Sequence, residues 1–281
     1  MSMEDITEGI YANTDWEGGN VSCINTSEGV VLVDTPMMPS QIDDCSAFVQ
    51  RLNPKGVKYI INTHIHFDHI IGNNRLGGAL IMHEQMRERL HDEDSTLRES
   101  FVPNSPGRTR EEIDFILNEP LLKSEITVIT DLALHLGDTT IKAFHMGGHT
   151  PDSMVVYVEE SKVLITGDNV TSGTHPYKGD ACFSDWIKVF QRLKTLDIDI
   201  VIPGHGTICG PETIDTQADY FQRMWDLAWD LCAKDKSEDD VVKSVGEALF
   251  GFYEVDPEMV DGARAMFDVG TRRLYKELSQ A

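Results

Sequence analysis

The sequence predicts an α/β fold, on three observations. Short apolar runs bounded by glycine, aspartate or serine recur through the first two thirds of the chain. Only occasional helix-period stretches separate them. After Pro211 the apolar residues recur at steps of three and four, and the pattern stays helical to the end. We therefore expect a mixed α/β domain over residues 1–210 and a helical C-terminal segment over residues 211–281 packed on it. The chain has 281 residues, 41% of them hydrophobic, enough to bury a substantial core in one large domain with a modest appendage.

Each element has its own signal. Val21–Thr26 and residues 30–34 flank the turn Ser27-Glu28-Gly29, a hairpin signature. A helix is expected over 40–52, because Pro54-Lys55-Gly56 breaks the pattern before an apolar run at 57–62 that reads as a buried strand. A short strand at 79–82 leads into a polar, helix-like stretch over 84–91. Residues 92–124 are charged and contain Pro103, Pro106 and Gly107, which predicts an insertion or lid. Strand signals resume at 126–129, 132–136, 140–145, 154–158 and 163–166. Ser184 is the expected N-cap of an amphipathic helix carrying Ile187, Phe190, Leu193 and Leu196. A last strand at 198–202 runs into Pro203-Gly204-His205-Gly206. Beyond it, Ile214, Phe221, Trp225 and Ala228 mark one helix, Val241, Val245 and Leu249 a second, and Val260, Phe267, Leu274 and Leu278 a third.

Charge narrows the function. With 24 basic and 47 acidic residues the formal net charge is −23. Such a surface repels phosphate backbones and anionic lipid headgroups, so a small-molecule substrate is expected rather than nucleic acid or a membrane. A metal site can still reverse the field locally. Met1-Ser2-Met3-Glu4-Asp5 lacks the basic start and apolar run of a secretory signal, and five cysteines show no CxxC pairing. No apolar stretch approaches the roughly 20 residues that span a bilayer. A soluble cytoplasmic protein is the expectation.

The strongest chemical signal is His64-Ile65-His66-Phe67-Asp68-His69, directly after a strand. Imidazoles at i and i+2 in an extended or turning backbone can converge on one cation, and the following carboxylate and imidazole can reach a neighbouring one. Three more candidates lie at later strand ends beside glycine or proline: His149 in Gly147-Gly148-His149-Thr150-Pro151, Asp168 in Thr166-Gly167-Asp168, and His205. Loops on a rigid scaffold project functional groups from such places. Any one alone would be weak, but four in this order are strong.

These residues make the chain resemble the metallo-β-lactamase superfamily over roughly residues 5–210. The resemblance implies a four-layer αββα sandwich of two mixed β-sheets flanked by helices. It implies that His64, His66 and His149 hold one metal, that Asp68, His69 and His205 hold a second, and that Asp168 bridges both. Two departures are visible. Asp152 stands where the family commonly has glycine after His-Thr-Pro, and Ile70-Ile71-Gly72 replaces a common glycine pair. Two divalent ions sharing a water can lower its pKa toward about 7, with Asp68 orienting the hydroxide. Imidazole and carboxylate ligands without thiolate suit zinc first, with iron or manganese open.

Within the family, Asp168 separates the chain from dizinc β-lactamases, which usually lack an aspartate there. His66 separates it from the flavin-linked diiron branch, which has glutamate. The implied function is a glyoxalase II-like or lactonase-like hydrolase cleaving a thioester, lactone or related ester-type bond. The rivals are a mononuclear-iron persulfide dioxygenase-like oxidoreductase, and a non-catalytic metal-binding protein on the same fold. Asp34 matches a family position that hydrogen-bonds a ligand histidine, although an ordinary strand-end aspartate reads equally well. His175 and Tyr177 could donate to a substrate oxygen or belong to a plain solvated loop. His83, His91, His135 and His145 are read as structural. The aromatic residues Phe221, Trp225, Trp229, Phe250, Phe252 and Tyr253 suit helix packing, a homodimer interface or a roof over the site.

Overall fold

The computed structural model describes residues 3–90, 98 and 107–280. Its first sheet has seven strands in chain order: β1 (Glu4–Thr7), β2 (Ile10–Asn13), β3 (Val21–Thr26), β4 (Gly29–Val33), β5 (Val57–Ile61), β6 (Ala79–His83) and β7 (Ile126–Val128). The pairs from β1 to β4 are antiparallel and those from β4 to β7 are parallel. The second sheet runs in the order β12 (Ile200–Ile202), β11 (Val163–Ile165), β10 (Met154–Val158), β9 (Thr139–His145), β8 (Asp131–Leu136). Only its β11–β12 pair is parallel. The helices are α1 (Pro39–Leu52), α2 (Phe67–Ile70), α3 (Asn73–Leu76), α4 (Glu84–Arg89), α5 (Arg110–Asn118), α6 (Phe183–Leu193), α7 (Glu212–Cys232), α8 (Glu238–Leu249) and α9 (Val260–Ser279).

Strand alternation shows why the apolar runs are continuous. Val31 and Val33 of β4 face the second sheet, where they pack with Ile141, Met154 and Val156. Val30 and Leu32 point the other way, onto Cys45 and Val49 of α1. A strand covered on both faces has no polar side to display. The second sheet repeats the device. Val156 and Ile165 lie between the sheets, while Val155, Tyr157 and Leu164 face outward onto Trp186 and Phe190 of α6, Phe221 of α7 and Phe267 of α9. The result is two mixed sheets flanked by helices, with the C-terminal helices sharing the second sheet's outer core. No helix among the described residues is long and apolar enough to cross a membrane.

The differences from the expected elements have local causes. Strands β1 and β2 carry no clear sequence signal, because β1 is largely exposed and polar. Ser184 lies inside the first turn of α6, whose N-cap is Cys182 with no side-chain capping bond. The amides of Phe183 and Ser184 are satisfied instead by Glu277, which comes from α9. Of the stretch expected as an insertion or lid, residues 92–97 and 99–106 lie outside the described residues, as does His91. Residues 110–118 form α5, started by a reciprocal Thr109–Glu112 capping box.

Candidate metal centre

The parallel strands β4, β5 and β6 end at one edge, and the site is built there. After β5 the chain bends at His64 and Ile65, and His66 (φ −63°, ψ 135°) is an extended residue directly before the single turn of α2. That switch points His64 and His66 one way and Asp68 and His69 another. From the second sheet, His149 follows β9, Asp168 follows β11 and His205 follows β12. The metal-facing atoms fall into two groups: His64, His66, His149 and Asp168, and Asp68, His69 and His205.

The distances are those of converging ligands. His66 Nδ1 lies 3.0 Å from His149 Nε2, which is 3.5 Å from Asp168 Oδ2. In the second group His69 Nε2 is 3.4 Å from His205 Nε2 and 3.7 Å from Asp68 Oδ2. Asp168 reaches across both, with Oδ1 3.2 Å from His69 Nε2 and Oδ2 3.4 Å from His205 Nε2. Gly204 makes room for it, since a Cβ there would stand 2.1 Å from Asp168 Oδ1.

Hydrogen bonding on the outer side of each ring fixes what faces inward. His66 Nε2 is 3.0 Å from Asp180 Oδ2, and His149 Nδ1 is 3.1 Å from the Tyr177 carbonyl. Both partners only accept, so those nitrogens carry the protons. The Thr63 hydroxyl donates its one hydrogen to Asp34 Oδ2 at 2.7 Å, and therefore accepts from His64 Nδ1 at 3.0 Å. Three imidazoles thus aim lone pairs at one point, and two of those lone pairs are 3.0 Å apart. His64 Nε2 and Asp168 Oδ1 are buried without a hydrogen-bond partner. Converging lone pairs and orphaned acceptors, each orphan costing about 1–3 kcal/mol, fit a cation.

Electrostatics agree. Burial, helped by the neighbouring imidazoles, pushes His64 well below its usual pKa, and burial takes His149 down to about 3. In the second group burial also disfavours charge, but it is overcome. Asp68, Asp168 and Asp34 raise His69, and Asp168 and Asp68 carry His205 to about 10. Asp68 itself, despite burial, is held down at about 2 by His69 and His205.

The Metallo-beta-lactamase superfamily model matches residues 14–205, a span that ends on the last of these ligand candidates. The chain belongs to that superfamily. It is 28% identical over 208 residues to the metallo-beta-lactamase type 2 of Bacillus sp. (strain 170), covering 72% of each chain. It is also 28% identical over 169 residues to an acyl-coenzyme A thioesterase of Gallus gallus, covering 55% of this chain and 58% of the relative. Among solved structures, a metallo-beta-lactamase from Pontibacter korlensis superposes with a TM-score of 0.62 at 20% identity, covering 79% of this chain and 98% of that one. A stereoselective inverting sec-alkylsulfatase from Pseudomonas sp. gives 0.74 at 15% identity, covering 98% of this chain and 50% of that one. At such identities these structures speak for the fold.

The remaining candidates separate within this superfamily frame. Asp34 holds the second group, accepting from the Thr63 amide and from His69 Nδ1 at 2.7 and 2.8 Å. It does so at φ 61°, a left-handed conformation unusual for a residue with a side chain. Tyr177 lies with its ring 5.6 Å from that of His66, and burial raises its hydroxyl to about 12, so it keeps its proton. His175 is not brought to the metal cluster. Its nitrogens bond the Tyr220 hydroxyl and the Phe250 carbonyl at 3.1 and 2.8 Å, and its ring stacks on Phe250 under the C-terminal helices. Asp180, Thr63 and Gly19 were not singled out from sequence. Only the Gly18-Gly19 doublet carries a signal, that of close backbone approach, and a Cβ on Gly19 would stand 2.2 Å from the His69 ring. The departure at Asp152 is compensated, because the fully buried carboxylate is paired with Arg89 at 2.7 Å.

Proposed function

We propose that the chain is a metal-dependent hydrolase that cleaves an ester-type bond (thioester, lactone or related) in a small molecule, with two divalent ions, zinc first. The observation that carries this reading is the pair of abutting ligand groups spanned by Asp168, with lone pairs converging in the first group. Divalent ions held by these residues would supply Lewis acidity, lowering the pKa of a nearby water and offering positive charge to a developing oxyanion. The chain's own residues do the rest. Asp68 is one-fifth exposed and firmly anionic, so its carboxylate can accept a hydrogen bond from the attacking water and orient it. The Tyr177 hydroxyl, protonated at working pH, can donate to a substrate oxygen. Asp34, Asp180 and the Tyr177 carbonyl keep three imidazoles in the tautomers the site needs.

The thioesterase among the relatives supports a thioester as the first substrate to try. The charge of −23 argues for a small molecule over a polyanion. The test is metal content by plasma mass spectrometry, on protein purified without a chelating column, followed by a panel of acyl-coenzyme A thioesters, lactones and alkyl sulfates. Two ions per chain with turnover of a panel member is the expected result. A single iron with oxygen uptake on a persulfide would replace the hydrolase with a dioxygenase. A fully loaded protein inert across the panel would favour a non-catalytic metal-binding role.

A further inference from the structure

Residues 206–281 lie outside the region matched by the family model, yet they hold the loop that shapes the first ligand group. That loop, residues 169–184, follows Asp168 and ends in the first turn of α6. It supplies the Tyr177 carbonyl to His149 and the Asp180 carboxylate to His66. Its own backbone is tied down at three places by the C-terminal helices. At the start, Gln217 of α7 accepts from the Thr171 amide at 2.9 Å and donates to the Asn169 carbonyl at 3.2 Å. In the middle, Lys178 is fully buried against Gly270 of α9, where a Cβ would stand 2.6 Å from the lysine's own. At the end, the Glu277 carboxylate of α9 accepts from the Phe183 and Ser184 amides at 2.8 and 2.9 Å.

We propose that α7 and α9 are positioning elements of the metal centre, with Gln217 and Glu277 fixing the ends of the 169–184 loop so that Tyr177 and Asp180 meet His149 and His66. This rests on the reading of the first group as a metal site. Its physical basis is rigidity. The core also ties the loop, through the Ser172 amide to the His205 carbonyl at 2.9 Å and the Cys182 amide to the Gly148 carbonyl at 3.0 Å, so losing a helix contact loosens the loop rather than freeing it. A loosened loop spreads the Asp180 carboxylate over more positions, and an imidazole without its outer partner loses orientation and basicity. Glu277 suits the task because a carboxylate is stabilised by the exposed amides at a helix N-terminus, which has no side-chain cap of its own here.

The test uses cobalt(II) as the probe, titrated into metal-free full-length protein, with visible absorption and chelator competition resolving two binding steps. In E277A one step is expected to weaken by up to about 10-fold, since Glu277 acts one contact beyond the partners whose own loss costs about 10- to 100-fold, while the other step is unchanged. E277Q, which keeps one carbonyl acceptor for the two amides, is expected to fall between E277A and the parent. It also guards against a simple folding defect, since its melting by circular dichroism should stay cooperative. Equal weakening of both steps, or no change in either, would overturn the proposal. No turnover enters the measurement. A weakened step in a protein that hydrolyses nothing would remove the hydrolase reading and leave the positioning role standing.

Discussion

At the scale of single residues, the site consists of donors aimed inward and acceptors placed behind them. Asp68 is the carboxylate ligand candidate that is partly open to solvent, and among the described residues its side chain is paired with the histidines it faces. D68A is therefore expected to lower kcat by about 100-fold or more while the fold persists, checked by steady-state kinetics on the substrate the panel identifies. Unchanged turnover would remove its orienting role. Gly19 makes a sharper case. G19A places a methyl 2.2 Å from the His69 ring, so on the two-ion reading proposed above we expect loss of the ion at Asp68, His69 and His205, read as one ion fewer per chain by mass spectrometry. An unaltered ion count would show that the 14–20 loop yields instead. All seven converging residues are legible in the sequence, four from the run His64–His69 and three, His149, Asp168 and His205, from turns beside glycine. Asp180 and Thr63 were not, since the hydrogen bond that gives each its role spans a distance no local pattern records. His175 shows the converse: its place shortly after Asp168 allows either the pocket or a plain solvated loop, and its half-buried ring packs among aromatics instead.

At the scale of elements, the parallel strands of the first sheet and the β9–β12 ends of the second bring residues far apart in sequence to one edge. The alternating and continuous apolar runs made most strands readable. The start of α6 at Phe183 is not legible locally, because the acceptor for its first amides comes from α9, almost a hundred residues later. Lys178 offers a test of how tightly the C-terminal helices are seated. Among the described residues its amine bonds only the Pro176 carbonyl, at 2.9 Å, and lies over the Tyr220 and Phe267 rings. Burial lowers its pKa from 10.5 to about 7. Between those values the unfolded chain binds a proton that the folded chain does not. Stability should therefore rise with pH across that window, and the full penalty applies below it. K178M removes the titration. We expect it to be more stable than the parent by a few kcal/mol near neutrality, with the gap closing at alkaline pH, as measured by urea unfolding across the window. A parent protein whose stability is flat there would mean the amine is better solvated than its burial implies.

At the scale of the whole molecule, the outer core of the second sheet is not complete without α7, α8 and α9. Trp186, Phe190 and Phe183 pack directly on Phe221, with ring centroids 4.4, 5.4 and 5.6 Å apart. A chain ending at residue 210 would expose that surface. We expect it to be insoluble or molten, with loss of near-ultraviolet circular dichroism and strong dye binding, whereas a well-folded fragment would show the helices to be dispensable to the fold.

The loop held by Gln217 and Glu277 also bears on how such chains can be recombined. Exchanging the C-terminal helices for those of a relative, with the crossover placed after His205 where the shared family region stops, would cut the molecule between a loop and its anchors. A functional chimera should instead inherit residues 169–184 from the same parent as the helices, so that the inherited unit is a discontinuous one. Lineages that kept the ligand histidines but replaced their C-terminal segments would then need to have altered this loop in step.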